Sequence, residues 1–416
     1  MSGKPQHSDE EVIDGLRKIL EQHPGISLNA YEKLNEYPSR SALRGHFPGV
    51  PWPELCKKAL AGETPESAKA DYDVPEHHRV LMHENAQLKK ANTKLLNITQ
   101  IFVDTCLPAI NRCSFKASPV PTPEKVMRDQ EFHSMQGDIH IGEHVDTDWA
   151  PGASGCSMDI LLNERLPKLG ERIVTFREQD KNALGLNKLT IHMLGDMVTG
   201  ELIYKGQSWF IDALLVDQLM QGSEAYINFI LMLAKHFPQI EIFCVIGNHG
   251  RHGKKGDAHP RSNFDYLFYM MLQRALRGQG NVTVYVAMSP TLIVQHGEFV
   301  FALNHNDNVM GWNGIPYYGL DRKARRMDGL YNMKIHYKLG GHFHTPAELN
   351  DETLLNGTMM GGSDLSVNKM MVATRPSQKI FYFDPHHGIH RTTNIYLADP
   401  VKLTADENGI FTAYTA

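Results

Sequence analysis

Cysteine is sparse and unpatterned in this chain of 416 residues: Cys56, Cys106, Cys113, Cys156 and Cys244 are scattered, with no CxxC pair. That excludes a disulfide framework and a zinc knuckle and points to a reducing compartment, the cytoplasm. Long hydrophobic runs are missing too. No stretch of about 18 apolar residues occurs, and Met1 to Glu11 is polar and acidic, so neither a membrane span nor a secretory leader is expected. Nor is there an excess of one charge. Lys and Arg total 42 against 47 Asp and Glu, a net charge of −5, which gives no global attraction to nucleic acid or anionic membrane. Any contact with a polyanion has to be local.

What the chain does have is a set of apolar runs that end abruptly in polar residues. Glu241 to Ile246 reads as a buried parallel strand, because Ile242, Phe243, Val245 and Ile246 leave no polar face, and it runs into Gly247, Asn248, His249 and Gly250. Alone, such an ending is a strand-to-loop turn. Four further stretches repeat the pattern. Asp138 and His140 stand two apart after Gly137, which in extended chain would put both on one face. Leu189 to Leu194 runs into Gly195 and Asp196, Ala302-Leu303-Asn304 into His305, and Leu339-Gly340-Gly341 into His342 and His344. In open α/β sheets, binding sites collect at carboxyl ends of strands. Carboxylate and amide oxygens mixed with imidazoles, and no thiolate, suit a pair of divalent first-row ions, Mn²⁺ foremost, with Zn²⁺ and Fe²⁺ as alternatives.

In order, these motifs are DIH at 138–140, GD at 195–196, GNH at 247–249, His305 and GHFH at 341–344. The series resembles the calcineurin-like binuclear metallophosphoesterases over residues 130 to 390. The resemblance implies an α/β fold, a two-sheet sandwich flanked by helices. It also implies that Asp138, His140 and His344 hold one metal and Asn248, His305 and His342 the other, with Asp196 bridging and His249 as general acid. Two cations can grip a phosphoryl group and offset its developing charge. An unligated imidazole can protonate the leaving oxygen. Two departures separate the chain from the phosphoprotein-phosphatase branch. Gly250 follows His249 where that branch has an acid, and Thr199 stands where it has a second Asp. The orienter of His249 is therefore missing from the motif. Arg251, His252, Lys254 and Lys255 form either a cationic wall for a phosphate backbone or a solvated loop.

Upstream, Ser8-Asp9-Glu10-Glu11 is a capping box, and Val12, Leu16, Ile19 and Leu20 recur at helical spacing until Pro24-Gly25. Short helices are expected over 28–36, 39–46 and 51–60. Tyr31 and Leu34, Pro38-Ser39, Arg44 and Phe47, and Trp52, Leu55 and Ala59 together resemble the helical repeat associated with homing endonucleases. That likeness implies a DNA-binding unit with Arg40, Ser41, Arg44 and His46 as the outward face of its groove helix and Lys57 and Lys58 near phosphate. The alternative is a helical cap or dimerisation module. Lys33, Arg40, Arg44, Lys57 and Lys58 face only Glu32, Glu36 and Glu54 in residues 27–61, a mildly basic balance.

Beyond a polar linker, residues 76–106 carry Leu81, Leu88, Leu95 and Phe102 at intervals of seven, a helix that either packs on the catalytic domain or pairs two subunits in a homodimer. Helices are also expected over 210–235 and 262–276. The segment from Trp312 to Arg326, with Tyr317, Tyr318, Arg322, Lys323 and Arg325, is either a nucleic-acid or nucleotide contact or a solvated helix. His386, His387 and His390 come too late to be assigned as ligands. The expected division is a small all-α N-terminal module at 1–62, a linker and long helix at 63–129, and a metallophosphoesterase domain at 130–416. The expected function is metal-dependent hydrolysis of phosphodiesters, most of all as a DNA nuclease of the kind found in phages and mobile elements. A cyclic-nucleotide or nucleotide phosphodiesterase, and a non-catalytic DNA-binding or assembly factor with structural metals, are the alternatives.

Overall fold

The computed structural model describes residues 7–34, 38–47, 50–65, 117–125, 129–201, 203–253, 255–256, 259, 261–309, 316–405 and 409. The long helix expected over 76–106, Lys254 and Trp312 fall outside these. The chain divides into two compact units, Met1–Phe102 and Val103–Ala416.

In the first unit, α1 (Asp9–Gln22) starts on the capping box: Ser8 accepts from the Glu11 N–H while Glu11 reaches back to the Ser8 N–H. Helices α2 (Leu28–Leu34), α3 (Arg40–His46) and α4 (Trp52–Ala61) follow. Their apolar stripes meet in one core of Val12, Ile13, Leu16, Leu20, Tyr31, Leu43, Phe47 and Leu55.

The second unit is built on two sheets, as expected. The larger has strand order β11-β10-β1-β2-β3-β4, using β1 (Gln130–Gln136), β2 (Gly185–Met193), β3 (Gln239–Cys244), β4 (Val282–Val286), β10 (Ser377–Asp384) and β11 (Gly388–Tyr396). Strands β1 to β4 are parallel, and β10 and β11 close one edge antiparallel. The smaller sheet is β5-β6-β7-β9-β8, from β5 (Thr291–His296), β6 (Phe299–Asn304), β7 (Tyr337–Gly340), β8 (Ala347–Leu349) and β9 (Thr353–Leu355).

Helices α5 (Leu166–Leu184), α6 (Leu215–Leu233) and α7 (Phe264–Ala275) cover the larger sheet. Phe132, Leu189, Ile191 and Ile242 pack there with Ile173, Tyr226, Ile230 and Phe268. Each such side chain contributes about 1.5–3 kcal/mol on burial. Helix α8 (Tyr317–Tyr331) lies on the smaller sheet through Met327 against Ala302 and Ile335. A third apolar layer fills the space between the sheets, with Met135, Leu194, Val245, Leu303, Leu339 and Phe381.

Three expectations about elements are corrected. The helix expected from Phe210 begins only at Leu215, because Phe210 and Ile211 pair with the chain near Glu143: the His144 N–H donates to the Phe210 carbonyl, and Ile211 bridges Glu143. The helix expected from Ser262 begins at Phe264, where Asn263 caps it. Strand β11 went unread, since its residues Arg391 to Asn394 are polar and only partly covered. No helix among the described residues is long and apolar enough to cross a membrane.

Candidate metal centre

The five motifs lie immediately beyond the carboxyl ends of β1, β2, β3, β6 and β7. Pairing along β1 stops at Gln136 and along β7 at Gly340, and the chain then turns rather than continuing extended. Asp138 (φ 51°), His140 (φ 54°), Asp196 (φ 52°), His342 (φ 78°) and His344 (φ 58°) all adopt left-handed backbone. The expectation that Asp138 and His140 share a face by strand alternation is therefore corrected; they converge because a left-handed turn brings them together. Non-glycine residues held this way cost on the order of 1–3 kcal/mol each and persist where their surroundings over-determine them. Here the Ile139 and His140 N–H groups both donate to the Asp196 carbonyl, at 2.9 and 3.0 Å, and the His342 N–H donates to the Asp138 carboxylate at 2.9 Å. Glycine is required where loops cross: a Cβ on Gly247 would lie 2.2 Å from Asp196 Oδ1.

Two groups of donors result. In the first, His140 Nε2 and His344 Nε2 are 3.2 Å apart, with Asp138 Oδ1 at 3.4 Å from His344 and 4.0 Å from His140. In the second, His305 Nε2 is 2.9 Å from Asp196 Oδ2 and 3.1 Å from Asn248 Oδ1, and His342 completes the cluster. His305 Nδ1–H donates to the Leu194 carbonyl at 2.8 Å, which turns Nε2 toward two oxygen acceptors. Donor atoms converge in both groups, where a bound cation would be shared among them. With a proton alone to play that part, burial disfavours charge on His305 but the adjacent Asp196 outweighs it, pushing the imidazole up to about 10. Burial opposes ionisation of Asp196 too, yet His305 and His249 hold it well below the ordinary carboxylate range. Burial drops His342 to about 4 and His140 well below the usual imidazole value, so both offer neutral donor nitrogens. The donor set fits divalent cations.

His249 stands beside this cluster, its ring edge-on to His140 at 4.6 Å between centroids. Its N–H donates to Asp196 Oδ1 at 2.7 Å, and its Nδ1–H donates to the Thr199 carbonyl at 3.0 Å, leaving Nε2 for other work. The orienter absent from the motif is thus a main-chain carbonyl. Gln207 Nε2 donates to the same carbonyl at 2.7 Å, and the Thr199 hydroxyl donates to the buried Glu143 carboxylate, which burial raises above its usual value. Gly250 is explained by space: a Cβ there would lie 2.4 Å from Asn263 Oδ1.

Sequence reasoning missed Asp265. This fully buried carboxylate accepts from the N–H groups of Asp196 and Gly247, each at 2.8 Å, and of Met197 at 3.0 Å, so it ties two site loops to the start of α7. Burial and then the neighbouring Asp196 raise its pKa to about 6. The only signal was an acid in a first helical turn, which ordinarily faces water. The Thr358 hydroxyl donates to the Asp138 carbonyl at 2.8 Å, and the Met359 N–H donates there at 3.0 Å, so this segment steadies a site loop.

Other candidate residues are not part of this cluster. In the first unit Arg44 and Lys57 are exposed and Lys58 is half-buried. Arg40 and Ser41 lie on α3, their side chains outside the described set. His46 departs from the outward face expected of it: its Nδ1 meets Asp9 of α1 at 2.7 Å and most of its side chain is covered. Lys255 pairs with Asp307 at 3.2 Å. Lys323 is drawn into the protein, its ammonium donating to the amide oxygens of Asn304, Asn306 and Asn308, whereas Tyr318 is 69% exposed. His386 and His387 are exposed and pair with Glu298 and Asp384.

No protein-family model and no curated protein matches this chain. Solved structures similar to it include Vps29 complexed with Zn²⁺ from Entamoeba histolytica, at 14% identity over 64% of this chain and 99% of that one, with a TM-score of 0.26. Another is a predicted phosphoesterase from Streptococcus pneumoniae, at 11% identity over 64% and 98%, TM-score 0.25. Phosphopantetheinyl hydrolase from Mycobacterium tuberculosis is a third, at 9% identity over 58% and 92%, TM-score 0.24. At TM-scores this low the likeness says nothing about activity.

Proposed function

We propose that this protein is a metal-dependent phosphoesterase that hydrolyses phosphodiesters, with DNA as the leading substrate. One observation carries the reading: two groups of converging carboxylate, amide and imidazole donors lie at neighbouring strand ends, with His249 against them and its Nε2 uncommitted. Asp138, His140 and His344 would hold one divalent cation, Asn248, His305 and His342 a second, with Asp196 shared. Such ions supply Lewis-acid stabilisation of charge on phosphoryl oxygens.

The chain's own residues do the rest. Thr199 fixes the His249 tautomer with hydrogen on Nδ1, so a protonated Nε2 can deliver its proton to the departing alkoxide. Asp265 holds the loops that carry Asp196 and Asn248 in register. Trp149, Tyr204 and Trp209 are exposed, and Tyr204 lies 6.4 Å from His249 between ring centroids. Aromatic rings of this kind suit a substrate with stackable bases. A nucleotide phosphodiesterase would use the same rings. What favours DNA is the first unit, with exposed Arg44 and Lys57 and its resemblance to a nuclease-associated repeat.

The test is hydrolysis by metal-stripped full-length protein with Mn²⁺ restored, beside Asp196→Ala. Bis-p-nitrophenyl phosphate, p-nitrophenyl phosphate, single- and double-stranded DNA and cyclic nucleotides are the substrates. Cleavage of DNA and the aryl diester, lost in the variant, is the expected outcome. Activity confined to the monoester or to cyclic nucleotides would sink the nuclease, and no activity would favour a binding or assembly factor. Arg44→Glu with Lys57→Glu should lower the salt slope of DNA retention by roughly 0.9 for each phosphate no longer neutralised; an unchanged slope removes the first unit from DNA binding.

A further inference from the structure

Between the two sheets, among the phenylalanines, part of the filling is polar. Glu131 and His133 on β1, Lys188, Thr190 and His192 on β2, and Glu241 on β3 are joined there by His296 at the end of β5 on the other sheet. Glu131 Oε2 is 3.2 Å from His133 Nε2 and 3.8 Å from His296 Nδ1, and the three donor atoms lie within 4.8 Å of one another. Donors around one tetrahedral Zn²⁺, each at about 2.0–2.2 Å, stand about 3.4 Å apart.

We infer that Glu131, His133 and His296 form a separate mononuclear site for a divalent first-row cation, Zn²⁺ foremost, that fastens the two sheets together. Two histidines and a glutamate are a complete protein ligand set for zinc with one position left for water. The supporting contacts are in place. His133 Nδ1 lies 2.9 Å from His192 Nε2, so the nitrogen opposite the ligating one has a partner that fixes its tautomer. Lys188 sits on the other carboxylate oxygen, Oε1, at 3.3 Å and on Glu241 at 2.8 Å, which leaves Oε2 free to face the imidazoles.

Charge points the same way. Two carboxylates, Glu131 and Glu241, face a single ammonium, Lys188. Phe301, Phe381 and Phe383 wall the histidines, while Glu131 retains 15% exposure and gives an ion a way in.

The experiment is metal stoichiometry, independent of any activity. Full-length protein stripped by chelator is titrated with Zn²⁺ under equilibrium dialysis, and bound metal is counted by mass spectrometry for the wild type, Glu131→Gln, His296→Gln, Asp196→Ala and the Asp196→Ala/Glu131→Gln pair. Glu131→Gln and His296→Gln should each bind one equivalent fewer than wild type. Zn²⁺ should raise the melting temperature of Asp196→Ala but not of the double variant. These differences stand even if the first site binds nothing, so the two readings fail separately. Equal stoichiometry in the wild type and in whichever of the two single variants folds, judged by circular dichroism, overturns the site.

Discussion

The loops beyond the strands and the strands themselves hold histidines and carboxylates in opposite ways. Beyond the carboxyl ends the donors sit on loops, and Asp138, His140, Asp196, His342 and His344 adopt left-handed backbone, cross-braced by main-chain bonds to Asp196, Asp138 and Asp265. Within the larger sheet Glu131, His133 and His192 occupy regular strand positions, with His296 opposite, and none of the four has positive φ. Strained donors can be placed wherever a loop leads and can face a substrate. Unstrained donors are confined to the sheet's own alternation and face only one another. The first arrangement suits chemistry, and the second suits a clamp.

Substitutions at the carboxyl ends should break the comparison most severely. Asp196→Ala removes the carboxylate of the second donor group, the one proposed to be shared by both ions, and should lower Mn²⁺-dependent hydrolysis of the aryl diester by roughly 10³-fold or more; Glu131→Gln in the same assay should leave it within about twofold. His249→Ala should cost roughly 10²–10⁴-fold on a nucleotide linkage and far less on the aryl diester, whose leaving group needs no proton. Equal losses on both would remove the general-acid role. Asp265→Asn keeps the shape but loses acceptors for the N–H groups of Asp196, Met197 and Gly247, and metal affinity measured by competition with a chelator should fall roughly 10–100-fold.

The histidine layer between the sheets gives the smallest and most distinctive signal, in pH. In chelator-treated protein His133, His192 and His296 are neutral when folded and take up protons when unfolded, because their folded pKa values are lowered. Their contribution to stability is present above the unfolded value, about 6.5, and is lost as pH falls through the folded values, about 3 for His296. Urea unfolding at stepped pH should show this decline, and His192→Phe should reduce its slope by up to about 1.4 kcal/mol per pH unit. An unchanged slope would mean that His192 is not neutral in the fold.

Much of this was legible beforehand for a physical reason. Short apolar runs such as Ile242 to Val245 read as strands covered on both faces, so the polar residues that end them mark the carboxyl edge of a sheet. The first unit's helices were equally plain, from a capping box and helical spacing. Asp265 was not, because a carboxylate that faces four main-chain N–H groups in another part of the chain looks in sequence like any acid at a helix start. Thr199 illustrates the opposite trap. Its side chain marked a missing acid, while its carbonyl, invisible in any sequence, orients His249. The histidine layer was hidden too: Glu131 and His133 stand two apart on one strand, but His192 and His296 join them only through parallel pairing and the face-to-face packing of two sheets.

Sequence alone determined which residue types end which strands, and so the donor inventory at the carboxyl edge, because burial and periodicity are local properties of the chain. Tertiary structure decided which donors share a centre, which atom orients His249, and that a second cluster exists at all. Those depend on distances between residues such as Glu131 and His296, or Asp196 and Asp265, which no local preference encodes.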